Sequence, residues 1–458
     1  MNRFARWSTT LAALCLAALA LAQADPAELA ARQADPANPF WNPGPEQLAA
    51  WHVIDDVEDG ATLTFWTMSL SPTFDPYLQQ VVTNFEATYP GVDVTWQDVP
   101  WDGLQAKLRN GFTAGNPPDV ANISPAWIAE FAGAGLLEDL DAAMAPYPEL
   151  RDQYVDTAWT TGAYEGTSYQ IPWYLGLSNF LGYNKALLEK HGYSVSDLPH
   201  TWTELRDFAR DYKEKTGTYA TSLNFGAGTE QYLLTYLLYN DIEIDPSSGP
   251  VNLATPEAID ALQVWVDLVQ DNLVPLASLT DDHRQMIDRF SQGDTALVII
   301  APQLLRLVKD NNPDVYANLG VTQGITGSSG ASGVDVQSLV IAKDTPYPNA
   351  ALALAQFVTN AETQAEFGKW AGVYPSNLQS YADPYYQSSE GGQLPEIRPL
   401  AEAYVKHADN RLVTFPNDAE VQQAVVEATQ AALLGQKSAE EALTWLTERI
   451  NTITAGAQ

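Results

Sequence analysis

The chain has 458 residues, with 57 acidic against 23 basic side chains and a net charge of −34. A charge of that sign repels nucleic-acid phosphates and anionic lipid headgroups, so neither is expected as a partner. The length calls for two domains or one very large one, and the single cysteine, Cys15, excludes disulfides and cysteine-ligated metals from the rest of the chain.

At the N-terminus, Arg3 and Arg6 precede an apolar stretch from Thr10 to Leu21, and Ala22-Gln23-Ala24 then leads into Asp25-Pro26. A basic start, a short apolar run and an A-x-A site predict a secretory signal peptide over residues 1–24, cleaved after Ala24. The apolar run is too short to span a bilayer. Cys15 is not expected to carry a lipid, because Leu14 stands where a small residue is needed and apolar sequence continues beyond it. Residues 25–60 are rich in Pro, Ala and acids and are expected to form a poorly ordered arm with one short helix, held by Trp41 and Trp51.

Globular sequence begins at Ala61. Leu63-Thr64-Phe65-Trp66 reads as a strand. Leu78, Val81, Val82 and Phe85 follow at helical spacing until Pro90-Gly91. Residues 92–96 alternate as a strand, 101–114 read as a helix closed by Gly115-Asn116-Pro117-Pro118, and 119–123 as a third strand. This β-α-β-α-β order predicts a mostly parallel sheet, with ligands bound beyond the carboxyl ends of its strands. A second block opens after Pro172, with a strand at 179–184 and a helix from a Thr201-Trp202-Thr203-Glu204 capping box to Lys215. A helix at 256–270, strands at 295–300 and 339–342, a helix at 349–358 and a long helical stretch at 419–450 complete a second α/β domain.

Motifs for catalysis fail one by one. Gly226-Ala227-Gly228 begins a dinucleotide fingerprint, but Gln231 replaces the glycine that lets helix and strand pack closely. There is no phosphate loop, and Gly327-Ser328-Ser329-Gly330-Ala331 misses the last glycine of a nucleophile elbow. The five histidines are scattered without ligand spacing, so no metal and no cofactor is expected. Thirteen tryptophans are more than core packing demands, and an indole face suits the apolar face of a pyranose.

Several blocks, taken in order, resemble one family. They are Phe65-Trp66-Thr67, then Phe85-Glu86-x-x-Tyr89-Pro90-Gly91-Val92, Gly115-x-x-Pro118-Asp119-Val120, Ala134-Gly135-Leu136-Leu137-Glu138-Asp139-Leu140, Tyr183-Asn184-Lys185, Phe290-x-x-Gly293-x-Thr295-Ala296 and Tyr374-Pro375. Their order and spacing resemble the extracellular sugar-binding proteins of ABC importers, the maltose-binding-protein-like group. The resemblance implies a two-lobed, type II periplasmic-binding-protein-like α/β fold whose lobes close on a ligand about a hinge. Lobe 1 is expected over 61–175 plus 340–390 and lobe 2 over 176–339 plus 391–458, with three hinge crossings near 173–178, 335–340 and 391–400.

It further implies a monomeric, non-enzymatic, periplasmic or extracellular protein that captures a sugar and delivers it to a membrane permease. The expected ligand contacts are Trp66 and Thr67 after the first strand, Ser124 and Trp127 after the third, and Trp173 and Tyr174 at the first crossing. Glu230, Gln303, Asp335 at the second crossing and Trp370 near the late loop complete the set. Ala301-Pro302-Gln303 departs from the family, which often has a stacking aromatic in that turn; Gln303 bonds hydroxyls but cannot stack. A non-sugar solute (polyamine, phosphodiester or peptide) and a secreted carbohydrate-active enzyme are the alternatives.

Overall fold

The computed structural model describes residues 26–455 apart from 178–179, 226–231, 247–248, 302–303, 328–333, 388–399, 401–412, 414 and 416–417. The signal peptide and the third expected crossing therefore lie outside the described residues. The chain divides into two compact units: the first holds the described residues up to Leu177 together with Val334–Asn410, and the second holds Ser178–Gly333 and Arg411–Gln458.

The first unit opens with α1 (Pro26–Ala34) and α2 (Pro45–Trp51), where a poorly ordered arm was expected. Phe40, Trp41, Trp51 and Ile54 are all buried in the core of this unit. Trp41 and Trp51 are the expected anchors of this segment, and Phe40, edge-on to Trp41 at 5.1 Å, and Ile54 join them without a helical or strand period. β1 (Thr62–Met68) turns Leu63 and Phe65 to the core. α3 (Asp75–Thr88) buries Leu78, Val81 and Phe85 along one stripe. β2 (Asp93–Val99) and α4 (Trp101–Ala114) follow, and Gly115 ends α4 in the left-handed conformation at φ +72°. β3 (Val120–Ile123), the ribbon β4 (Ala163–Tyr164) and β5 (Thr167–Ser168), and β6 (Ile171–Leu177) complete the first passage through the unit.

In the second unit, β7 (Phe180–Asn184) precedes α5 (Trp202–Thr216), α6 (Pro256–Gln270), β8 (Leu297–Ile300) and β9 (Leu319–Thr322). The chain returns to the first unit with β10 (Val334–Ile341), α7 (Pro348–Val358), α8 (Ala361–Ala371) and β11 (Tyr374–Pro375). α9 (Asp418–Leu433) and α10 (Ala439–Ala455) belong to the second unit. Gly435, at φ +69°, divides the helical stretch expected here into two helices.

The first unit's sheet has the order β11-β6-β10-β3-β1-β2. β1 pairs in parallel with both β2 and β3, as the β-α-β-α-β pattern requires. β10 is antiparallel to β3 and β6, and the β10 register runs from Val334 through Ile341. That ladder keeps residues 335–340 inside the first unit, so the passage expected within them falls before Val334. Among the described residues, the second unit's three-stranded sheet, β8-β7-β9, has β7 antiparallel to both of its neighbours. Its strands pack tightly: a Cβ on Gly320 would fall 2.2 Å from the Tyr183 ring. Helices α6, α9 and α10 contribute to the second core through Leu262, Val425 and Leu446 among others.

Candidate functional site

Strand directions in the first unit place several chain ends on one edge of its sheet. β1 and β3 are parallel, β10 runs against β3, and β6 runs against β10 with Leu177 opposite Val334. The carboxyl ends of β1, β3 and β6 and the amino end of β10 therefore share an edge. The same edge carries the points where the chain leaves and re-enters the unit. Strand ends meet there, the usual setting for a binding site in such a sheet.

Trp66, near the end of β1, is half-buried, and the Lys107 ammonium sits 4.0 Å from the centroid of its ring. The next residue departs from expectation. Thr67 is fully buried; its hydroxyl donates to Asp98 Oδ1 at 2.7 Å and accepts from Trp96 Nε1 at 2.9 Å. Thr67 thus ties the end of β1 to β2 through its hydroxyl. Asp98 also accepts from the Leu70 amide at 3.0 Å, which fixes the loop after β1. Within that loop Ser69 adopts φ +54°, a strained conformation for a residue with a Cβ.

Ser124 follows β3 and caps the short turn Pro125–Trp127, accepting from the Ala126 amide at 3.4 Å. Trp127 is half-buried and packs against the core of the unit. Asp335 lies on β10 opposite Gly176, one residue from the point of entry. Glu230 and Gln303 lie outside the described residues.

Three expected aromatic contacts are core residues instead. Trp173 is fully buried and stacks on Phe367, with centroids 5.1 Å apart and 25° between planes. Tyr174 is 2% exposed and also touches Phe367. Trp370 packs edge-on against Trp41 and Phe74. All three side chains belong to the buried core of the unit, where their apolar area is removed from water.

A polar group that motif reading missed lies just inside the same edge. Asn122 Nδ2 donates to the Ser338 carbonyl at 3.1 Å and approaches Gln337 Oε1 at 3.5 Å, and all three residues are buried. Among the described residues, Asn122 Oδ1 and Gln337 Nε2 have no further partner. The sequence signal was present: an Asn within Val120-Ala121-Asn122-Ile123 and a Gln-Ser pair just before the apolar run Leu339-Val340-Ile341.

Elsewhere, burial pushes His283 down to about 4 in the second unit, and Arg109 holds Glu130 below the usual carboxylate range on the surface of the first. No group of three or more His, Cys, Asp or Glu side chains among the described residues is arranged to hold a metal.

The comparisons with known proteins agree with this architecture. A Brucella abortus (strain 2308) protein classed as a binding protein is 27% identical over 319 residues, covering 68% of this chain and 75% of that protein. A Synechococcus sp. MITs9220 structure classed as an oligosaccharide periplasmic-binding protein is 27% identical, with a TM-score of 0.71 over 86% of this chain and 99% of its own. Maltose-bound T. maritima MalE3 is 25% identical, with a TM-score of 0.66 over 86% and 100%. Residues 71–365 match the profile of the bacterial extracellular solute-binding proteins, and this chain belongs to that family.

Proposed function

We propose that the protein is the extracytoplasmic substrate-binding component of an ABC importer, exported by a cleaved signal peptide, acting as a monomer, and capturing a sugar without turning it over. The observation that carries this reading is the likeness over 86% of the chain to oligosaccharide- and maltose-binding proteins at 25–27% identity. The sheet edge of the first unit supports it. Trp66 and Trp127 offer half-buried indole surface there, and Ser124 and Asp335 stand at the strand ends beside them.

A buried sugar needs a partner for each hydroxyl, because an unpaired one loses its hydration without return. Carboxylate and amide side chains supply paired acceptors and donors, and the indoles cover the apolar ring face. Glu230 and Gln303 are proposed as further hydroxyl partners. The loaded protein would then be recognised by the permease.

A thermal-shift screen of the mature protein tests this directly. A sugar is expected to raise the melting temperature by linkage, and Trp127→Ala is expected to weaken that sugar's binding by about 1 kcal/mol. Stabilisation by polyamines, phosphodiesters or peptides but by no sugar would overturn the substrate class. Hydrolysis of a glycoside would overturn the assignment as a binding protein.

A further inference from the structure

The segment before β1 is bound to α8 by a pair of indole–carboxylate bonds. Trp41 Nε1 donates to Glu366 at 2.7 Å, and Trp51 Nε1 donates to Glu362 at 3.3 Å. The two carboxylates stand four residues apart, on one face of α8. Glu366 is 3% exposed, and a carboxylate so deeply buried must be surrounded by donors. Besides Trp41 it is approached by Arg32 at 3.5 Å, Asn38 at 3.4 Å and Lys369 at 3.5 Å. Three of those four groups come from the N-terminal segment.

α8 in turn grips β6. Phe367 stacks on Trp173 and touches Tyr174, both at 5.1 Å between centroids. Phe40 stacks on Tyr77 at 5.2 Å, and Tyr77 meets Phe367 at 5.1 Å. An unbroken aromatic row thus runs from Phe40 through Tyr77 and Phe367 to Trp173 and Tyr174. Beyond α8, β11 pairs with β6 at Leu175 and Tyr174, and the Ser376 hydroxyl donates to the Trp173 carbonyl at 3.1 Å. β6 is the strand whose end, at Leu177, forms part of the candidate edge and carries the chain out of the unit.

We propose that residues 26–59 are a brace that positions α8 and, through it, strand β6, and so sets solute affinity as well as the stability of the unit. The affinity part rests on the function proposed above; the mechanical part does not. Close-packed interiors transmit such a displacement because they hold little free volume to absorb it.

Backbone hydrogen exchange on the ligand-free mature protein separates the two. Trp41→Phe keeps an aromatic side chain, smaller than the indole, and deletes the donor to Glu366. Glu366→Gln keeps the shape and deletes the charge, and it serves if the first variant fails to fold. Exchange across 171–177 and 374–376 is expected to quicken roughly tenfold, the scale of one lost charge-assisted hydrogen bond, while 180–184 and 297–300 in the second unit stay unchanged. Acceleration confined to 26–59, or spread evenly over both units, would overturn the brace.

The second arm titrates maltotriose at 25 °C, where wild type and variant are both folded. A Kd raised several-fold in the variant supports the affinity part, and an unchanged Kd alongside a loosened β6 overturns it. Wild-type protein that binds no sugar at all counts against the sugar reading, and the exchange result alone then decides the brace.

Discussion

At the scale of single residues, burial decides roles that residue type leaves open. His283 has Asn224 Nδ2 3.0 Å from its Nδ1, and burial pushes its pKa from the ordinary 6.5 down to about 4. The unfolded chain therefore binds a proton near pH 6.5 that the folded chain refuses until about pH 4. Between those values the unfolded state holds more protons, so stability falls as the pH drops from about 6.5 to 4 and levels off below. The expected loss reaches about 3 kcal/mol at most. Urea unfolding at pH 7, 5.5 and 4.5 measures it, and His283→Gln is expected to flatten the slope. Parallel slopes for wild type and variant would exclude this histidine as the cause.

Burial also reverses the roles of Trp173, Tyr174 and Trp370. Each had the right chemistry for stacking on a sugar, and no local pattern distinguishes an indole under a helix from one at a strand end. Trp127 was singled out for the same reason, and the fold leaves it half-buried, as it does Trp66 at the end of β1. Thr67 shows the same limit, since its partners Asp98 and Trp96 come from the neighbouring strand.

At the scale of elements, termination signals were strong wherever they were local. Thr201 accepts from the Glu204 amide at 3.2 Å, and Glu204 returns the bond by accepting from the Thr201 amide at 3.1 Å and the His200 amide at 2.8 Å. This reciprocal cap satisfies donors that the first turn of α5 would otherwise leave unpaired. Thr201→Ala is expected to lower stability by about 1 kcal/mol, with Thr201→Ser nearly neutral, in denaturant midpoints. Equal losses for both would point to the methyl group instead of the hydroxyl. The Pro256 start of α6 was equally plain, with Thr255 as its cap. Glu58 is the contrasting case: its carboxylate accepts from the Asn349 and Ala350 amides at the start of α7, a cap supplied from 291 residues away that no window could reveal.

At the scale of the whole molecule, the charge of −34 acts as a field as well as a set of pairs. Acids outnumber cations by 57 to 23, and pairs among the described residues such as Arg210–Asp271 are exposed and individually weak. Screening should therefore relieve repulsion more than it weakens attraction. The melting temperature is expected to rise between 20 and 300 mM NaCl, on the scale of a Debye length falling from roughly 20 Å to below 10 Å. A fall over that range would mean that the ion pairs dominate.

By itself, the sequence determined the elements that depend on near neighbours: the β-α-β-α-β opening, the capped helices and the ordered blocks that mark the family. Only the tertiary structure decided which aromatics are core, that residues 26–59 are an integral part of the first unit, and that β7 in the second unit is antiparallel to both of its neighbours. The reason is one of range. Propensity, capping and periodicity act within a few residues. The partners that hold Trp41, Trp173 and the start of α7 lie hundreds of residues along the chain, and only the closed fold brings them within bonding distance.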